Sequence, residues 1–590
     1  MQFAYRIELD LESSPEELWP VVSDTDRLNR DAHVPAVERL GTGKNARRRL
    51  RLTRFGLPME WEEEPFEWVS PHRFSVVRRF TKGPVESLQT TASLAARDGG
   101  GTQLVYEIEA KPRTLLGWLA IPVQIGRFSR RRFEDVFRRY DNAVQDERTP
   151  LPAPRPRLAP RAQTKITAAG ERLVDQGISP ELAARLAAVI AGSDDLTVSR
   201  LRPYALAETW GTGRRETLEL FLQATREGIL ELRWELHCPL CRSTAGSVAT
   251  LADVAARAYC ETCQLDFTAD FGLSVEVTFR PTAAIRPVES REFSVGGPQL
   301  TPHIVVQQLL PPRERRAIET ELEPGTYRVR SLLAKGVQPV TVSSGGSDTG
   351  GVRVGADGWA NGGLTLAEHA TLTLENATAE EQLVVLERTA WSDRAATAAD
   401  VTSLQLFRDL YAAEALRPGE AIPVQSLTVV FTDLRASSRY YRQVGDAAAF
   451  GRVLKHLEVL RSTIAEGDGA VVKSMGDAVM AVFPRPAAAV QAMLKAQTVV
   501  AGNPLDLKVG IDTGRCIAVS QNGVLDYFGS TVNLAARLAS LSSGGNLIVT
   551  SAVLDDPDVA ALKLHAQPVE DAGPLRHLED EEPELWRLWP

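Results

Sequence analysis

Between residues 468 and 483 the chain reads DGAVVKSMGDAVMAVF, two apolar strands around a tight turn, with Lys473 before the turn and Asp477 in it. Val471, Val472, Val479 and Val482 supply the β-branched content of half-buried strands, and Gly476 offers the positive φ that short hairpins require. A hairpin needs neither the ammonium nor the carboxylate. A second carboxylate, Asp433, ends the apolar stretch SLTVVFTDL at residues 426–434. If these strands are neighbours, Asp433 and Asp477 converge at one sheet edge, and paired carboxylates suit a divalent metal ion. A second constellation is CPLC, with Cys238 and Cys241, followed after 18 residues by CETC, with Cys260 and Cys263. Two-residue spacers let both sulfurs of a knuckle face one ion, and two knuckles complete a tetrahedral thiolate site. Four ligands close the shell, so the implied Zn²⁺ is structural; the competing reading, a redox dithiol, requires only one pair. Cys516 stands alone.

The elements that must position these residues belong to a long chain. At roughly 150 residues per domain, 590 residues predict about four domains. A composition of 44% hydrophobic and 24% charged residues excludes global disorder and fibrous classes. The net charge of -9 argues against a surface given over wholly to nucleic acid or anionic lipid and leaves local basic patches open. No apolar run approaches the ~20 residues of a membrane span. The best candidate, LLGWLAIPVQIG at residues 115–126, is short and interrupted by Pro122. The start, MQFAYRIELDLESS, alternates like a strand and has no signal-peptide architecture, so a cytoplasmic protein is expected.

Residues 1–147 begin with a strand and a helix started by Ser14, Pro15 and Glu17, continue with alternating strands such as RFSVVRRF, and close with the basic amphipathic helix GRFSRRRFEDVFRRYDNAV. That order resembles the START-like, polyketide-cyclase-like helix-grip superfamily, and the resemblance implies an apolar small-ligand cavity. The arginines from Arg127 to Arg139 are read as a solvated helix face, with a phosphate-rich surface as the alternative. Residues 148–163 are a proline-rich linker. Residues 164–271 are expected to hold a winged-helix-like helical unit with the zinc ribbon. Arg214 and Arg215 are its obvious helix-start cations, and nucleic-acid binding is disfavoured against a packing or relay role. Residues 272–395 read as an all-β sandwich, and 396–422 as a linker helix with Val401, Leu404 and Phe407 on one stripe, which pairs with its copy or packs on its own chain.

Residues 423–590 alternate strands and helices in a ferredoxin-like βαββαβ plan, so the fold class is multi-domain α+β. Their segments FTDLRASS, GAVVKSMGDAVMAVF, VGIDTGR and DYFGSTVNLAAR are similar, in order and spacing, to those of class III nucleotidyl cyclases. The resemblance implies an adenylate cyclase that forms 3′,5′-cyclic AMP and pyrophosphate from ATP. It implies two Mg²⁺ or Mn²⁺ ions held by Asp433, Asp477 and the Leu434 carbonyl, and base recognition by Lys473 and Asp526. Arg515 and Arg576 would bind phosphate, and Asn533 and Arg537, one helical turn apart, would orient the ribose and stabilise charge at the α-phosphate. A homodimer is implied, because in this family the metal set and the base and transition-state set face each other across subunits. Three departures from the family pattern stand out: Ala436 where glycine is frequent, a missing glycine after Arg515, and Arg576–His577 in place of lysine–glycine. The alternatives are a catalytically inactive nucleotide sensor or scaffold, a guanylate cyclase, or a DNA-binding regulator.

Overall fold

The computed structural model describes every residue except 1, 55, 147–155, 240–241, 262, 264, 289–290, 360–361, 390–393, 501–505, 570–583 and 590. The N-terminal part is a curved antiparallel sheet around a helix. Phe3–Leu11 pairs with Thr102–Pro112, and the sheet continues through Val85–Ala96, Arg73–Lys82, Leu57–Glu63, Arg48–Arg54 and Glu38–Thr42. Ser14 and Glu17 form the expected capping box on helix Pro15–Val22. The closing helix is regular from Arg130 to Gln145, after π turns over Pro122–Ser129, and it buries Phe133, Val136, Phe137 and Tyr140 against Ile7, Leu104 and Tyr106. A cavity of about 330 Å³ lies between sheet and helices, lined by Leu50, Trp61, Phe80, Ile108 and the ion pair Arg78–Glu63.

The expected 272–395 sandwich is not a separate pair of sheets. Val275–Pro281 pairs with Leu230–His237 and belongs to the preceding unit. Strands between 304 and 388 extend the N-terminal sheet, because Ile304–Leu310 pairs with Glu67–Val69 on one side and Gln382–Arg388 on the other. Strand edges seek partners wherever backbone donors and acceptors are open, and the join is sealed by Trp68 Nε1 donating to the Ile304 carbonyl at 2.9 Å.

The middle unit has five helices, from Ala162–Asp175 to Arg214–Arg226, ahead of a three-stranded sheet. Arg214 bonds Glu208 at 2.9 Å, and Arg215 bonds Glu219 at 2.8 Å and Asp468 at 2.6 Å. The start of that helix is therefore turned onto the C-terminal domain.

One linker helix was expected, and the chain forms two, Ala398–Thr402 and Gln405–Leu410. Ser403 donates to the Asp400 carbonyl and Leu404 is extended, so the helix breaks between them. Val401, Leu404 and Phe407 are all buried, and they pack on their own chain.

In the C-terminal domain the strands run in the order Ala470–Met475, Ala478–Phe483, Ala421–Leu434, Leu507–Gln521, Asn546–Thr550, Leu585–Leu588, Ala566–Pro568. The first four reproduce the ferredoxin-like plan, with Ala421–Leu434 antiparallel to both neighbours. Both faces are covered. Val430, Val479, Ala481 and Val509 meet helices Asp446–Glu466 and Pro486–Val500, whereas Val429, Met480 and Val482 join a core shared with helix Ser530–Leu541 and the upstream units. Strand period two separates the two sets. Gly510 lets the helix close on the sheet, since a Cβ there would stand 2.2 Å from the Ala539 nitrogen.

Candidate active site

The acid pair sits at one sheet edge. Thr432 opposite Val479 is the last paired position between those strands, and Asp433 follows it by one residue. Met475 pairs with Ala478, so Gly476 and Asp477 are the two turn residues, with Gly476 at φ 68. Alternation puts Asp433 on the face of Val429 and Phe431. Its Oδ2 lies 3.8 Å from Lys508 Nζ, a loose pairing. Asp477 Oδ2 is buried and has no hydrogen-bond partner among the described residues. An orphaned buried carboxylate oxygen costs roughly 1–3 kcal/mol or more unless something binds it. With Asp433 beside it, the site fits a hard divalent cation with oxygen ligands. Leu434, the last residue of the strand, is 2% exposed and pairs with Leu507.

Sequence reasoning passed over His456. It lies on helix Asp446–Glu466, nine-tenths buried, within electrostatic reach of Asp477, and burial pushes its pKa down despite that carboxylate. The sequence signal was a polar residue on the apolar stripe of that helix.

Lys473 and Asp526 sit on strands that do not pair, yet Lys473 Nζ is 2.6 Å from Asp526 Oδ2. Asp526 is buried; its Oδ1 accepts from the Tyr527 nitrogen at 2.8 Å, and the ammonium lies 5.3 Å from the centre of the Phe528 ring. Helix Gln405–Leu410 braces both strands. Gln405 Oε1 accepts from the Val471 nitrogen at 2.8 Å, and Arg408 Nη1 donates to the Leu525 carbonyl at 3.0 Å. The Arg408 guanidinium also lies 5.5 Å from the Tyr527 ring centre, and Tyr527 donates to Thr402 Oγ1 at 2.8 Å. On its other side the helix packs Phe407 edge-on against Trp234, at 6.0 Å, and Tyr411 donates to the Leu222 carbonyl. One six-residue helix thus links the middle unit to both strands that carry the Lys–Asp pair.

Asn533 is exposed and Arg537 half-buried on helix Ser530–Leu541, while Val532, Ala535 and Leu538 are buried, so the two polar residues occupy its outer side. Arg515 is exposed on Leu507–Gln521, seven residues beyond Lys508, the partner of Asp433. That is roughly 20 Å of strand, so one chain does not bring Arg515 to its own acid pair. Arg576 and His577 lie outside the described residues.

In the ribbon, Cys238, Cys260 and Cys263 are buried, with their sulfurs within 4.8 Å of one another. Cys260 Sγ accepts from the Cys263 nitrogen at 3.3 Å. Cys241 lies outside the described residues. Three converging thiols on a hairpin and a strand end fit a zinc ion's softness and tetrahedral demand. Cys516 is buried elsewhere, and burial pushes its thiol up to about 12.

Residues 167–295 match a family of unknown function, DUF5939, and residues 420–565 match the adenylate and guanylate cyclase catalytic domain. An adenylate cyclase of Lachancea kluyveri is 26% identical over 196 residues, 28% of this chain and 10% of that protein. A pH-sensitive adenylate cyclase of Mycobacterium tuberculosis is 32% identical over 162 residues, 26% of this chain and 39% of that protein. The chain therefore spans a tenth and about two-fifths of the length of these relatives. Among solved structures, an adenylate cyclase from Trypanosoma brucei is 24% identical, covering 28% of this chain and 89% of that one at a TM-score of 0.25. The adenylyl cyclase CyaB from P. aeruginosa is 19% identical, covering 29% and 96% at a TM-score of 0.25. Residues 420–565 of this mixed α/β, multi-domain chain are a catalytic domain of the adenylate and guanylate cyclase family.

Proposed function

We propose that the chain is an adenylate cyclase, converting ATP to 3′,5′-cyclic AMP and pyrophosphate between two copies of its catalytic domain, under control of the upstream units. The observation that carries the choice of base is the Lys473–Asp526 contact at 2.6 Å. It sets a donor beside an acceptor, the complement of adenine N1 and its 6-amino group, whereas guanine in the same pose presents an N1–H donor to the ammonium.

Asp433, Asp477 and the Leu434 carbonyl hold two Mg²⁺ or Mn²⁺ ions, which when bound lower the pKa of the ribose 3′-hydroxyl and neutralise the triphosphate. Asn533 orients the ribose, and Arg537 stabilises charge at the α-phosphate as the 3′-oxygen attacks and pyrophosphate departs. Arg515 and Arg576 bind phosphate oxygens, a task suited to a planar guanidinium. The outward Asn533–Arg537 side and the separation of Arg515 from its own acid pair support a homodimer in which one copy's acids meet the other's helix. The four ribbon cysteines hold a structural Zn²⁺, and the N-terminal helix-grip domain takes an apolar ligand into its cavity.

The test is purified full chain given ATP or GTP with Mg²⁺ or Mn²⁺, with cyclic product identified by mass. Cyclic AMP from wild type and none from Asp477→Asn is the expected result. Nucleotide binding without product in the wild type replaces this reading with that of a nucleotide sensor.

A further inference from the structure

The stretch from 110 to 133 carries six cations, Lys111, Arg113, Arg127, Arg130, Arg131 and Arg132, and no acid. Within it, Leu115, Leu116, Trp118, Leu119, Val123 and Phe128 are 86%, 56%, 47%, 65%, 49% and 49% exposed. Six large apolar side chains in fourteen residues form a patch of the kind that soluble surfaces avoid unless it meets a partner. The local structure forces it outward. Thr114 caps helix Leu115–Ile121, Gly117 presses against the Pro84 carbonyl, and Ile121 is buried, so one side of the helix is pinned and the leucines face away. The chain then passes through π turns to the arginine cluster. The neighbouring hairpin tip adds Leu57, 53% exposed, and it is tied to the patch by Arg54 donating to Gln124 Oε1 at 2.9 Å.

Charge decides what covers this face. Arg127, Arg131 and Arg132 are exposed, and they make no hydrogen bond or ion pair with any described residue. Apolar and aromatic side chains bordered by unpaired arginines are the composition of an element that lies in a bilayer interface, leucines below the headgroups and guanidinium groups among lipid phosphates. The helix of seven residues is far too short to cross, and no helix among the described residues is long and apolar enough to do so. A second copy of the same face would set these arginines against one another.

We propose that this face docks peripherally on an anionic lipid bilayer. Leu57, Leu116, Gly117, Ala120 and Ile125 also line the 330 Å³ cavity, so the docked surface and the cavity share a wall. The inference is independent of the cyclase reading.

The experiment is co-sedimentation of the full chain with phosphatidylcholine vesicles, with and without about 30% phosphatidylserine, at low and high salt. Binding to the phosphatidylserine vesicles that falls steeply with salt is expected. Each arginine near an anionic surface contributes about fivefold, so the triple change Arg127→Ser, Arg131→Ser, Arg132→Ser lowers partitioning about a hundredfold. The pair Leu115→Ser, Leu119→Ser lowers it at least about tenfold with unchanged circular dichroism, both residues being exposed. Arg353→Ser, on a distant strand, leaves it unchanged. No partitioning of wild type into anionic vesicles overturns the proposal, as does partitioning that survives both sets of changes. A leucine pair that instead halves the particle mass by light scattering and leaves vesicle binding intact assigns the face to a second copy and also overturns it.

Discussion

Two buried carboxylates of the upstream body, Glu276 and Glu387, and two carboxylates of the catalytic sheet, Asp477 and Asp512, are handled in opposite ways. Glu276 meets Arg200, Arg202 and His237, and Glu387 meets Arg328, Arg330 and His303. Both are essentially unexposed, and their carboxyls are held down to about 2, against the burial that would raise them, by hydrogen bonds and charge from those partners. In the catalytic sheet Asp477 keeps an oxygen with no described partner, and Asp512 has a threonine hydroxyl, Thr550 Oγ1 at 2.8 Å, and is pushed up to about 6 by burial. At Glu276 and Glu387 permanent cations mark carboxylates that hold architecture, whereas Lys473 beside Asp526 belongs to the proposed base site. A buried carboxylate left without such a cation is where an incoming cation or proton has most to gain.

The sharpest way to break that contrast is to remove one acid of each kind. Asp477→Asn keeps shape and removes the charge, so cyclic product is lost outright while the melting temperature holds or rises; a melting temperature that collapses with activity would put Asp477 in the architectural class. Glu387→Gln should do the reverse. It leaves Arg328 and Arg330 facing a neutral amide, and breaking a buried pair costs about 3–5 kcal/mol, read as a lower urea midpoint, with turnover per folded molecule preserved. The pH dependence of Glu387 and that of Asp512 also differ in sign. Glu387, with a depressed folded pKa, contributes stability that is present above about pH 4.5 and lost as pH falls toward 2.

Asp512 is the converse case. Its folded pKa of about 6 exceeds the unfolded value near 4, so the folded state favours the protonated form, and this group's contribution falls as pH rises from about 4 to about 6. Asp512→Asn should therefore stabilise the chain above pH 6 by on the order of 3 kcal/mol and little at pH 4. Melting curves at pH 4.5 and 7.5 measure it; equal shifts at both would place the effect in packing. A smaller effect is expected at the brace. Arg408→Ala frees the Leu525 carbonyl and one face of Tyr527, both next to Asp526, and should cut the preference for ATP over GTP about tenfold, a loss on the scale of one charged hydrogen bond. Unchanged preference with a lower kcat for both nucleotides would show that the brace acts elsewhere.

What could be read from the chain followed the range of the interactions. The hairpin around Gly476, the Ser14–Glu17 capping box and the strand periods of the catalytic sheet are local, and their residues announce them. The placement of Asp433 near the end of one strand and of Asp477 in the turn that opens its neighbour was legible because both positions follow from local strand and turn signals. The join of Glu67–Val69 to Ile304–Leu310 depends on two edges 240 residues apart, and no pattern in either strand names its partner. The break at Ser403 was hidden because Val401, Leu404 and Phe407 stay buried on either side of it, so the apolar stripe outlasts the helix. The brace onto Val471 and Leu525 was out of reach for the same reason: Gln405 and Arg408 look like solvated helix positions until the fold sets two strand backbones beside them.

The smallest expected effect separates strain from charge at the acid edge. Ala436 opens helix Ser437–Val444 at φ 58 and ψ 24, three residues after Asp433, in the left-handed region where a Cβ crowds the following carbonyl. Glycine removes that cost of ~1–2 kcal/mol but gives the unfolded chain more freedom, about 0.4–1 kcal/mol in the other direction. Ala436→Gly should then raise stability by about 0.5–1 kcal/mol with kcat unchanged, because the side chain is exposed and carries no charge. If KM for ATP falls while stability stays put, the methyl acts by crowding the substrate rather than by straining the backbone. The acid edge would then be limited by space as well as by its uncompensated carboxylate.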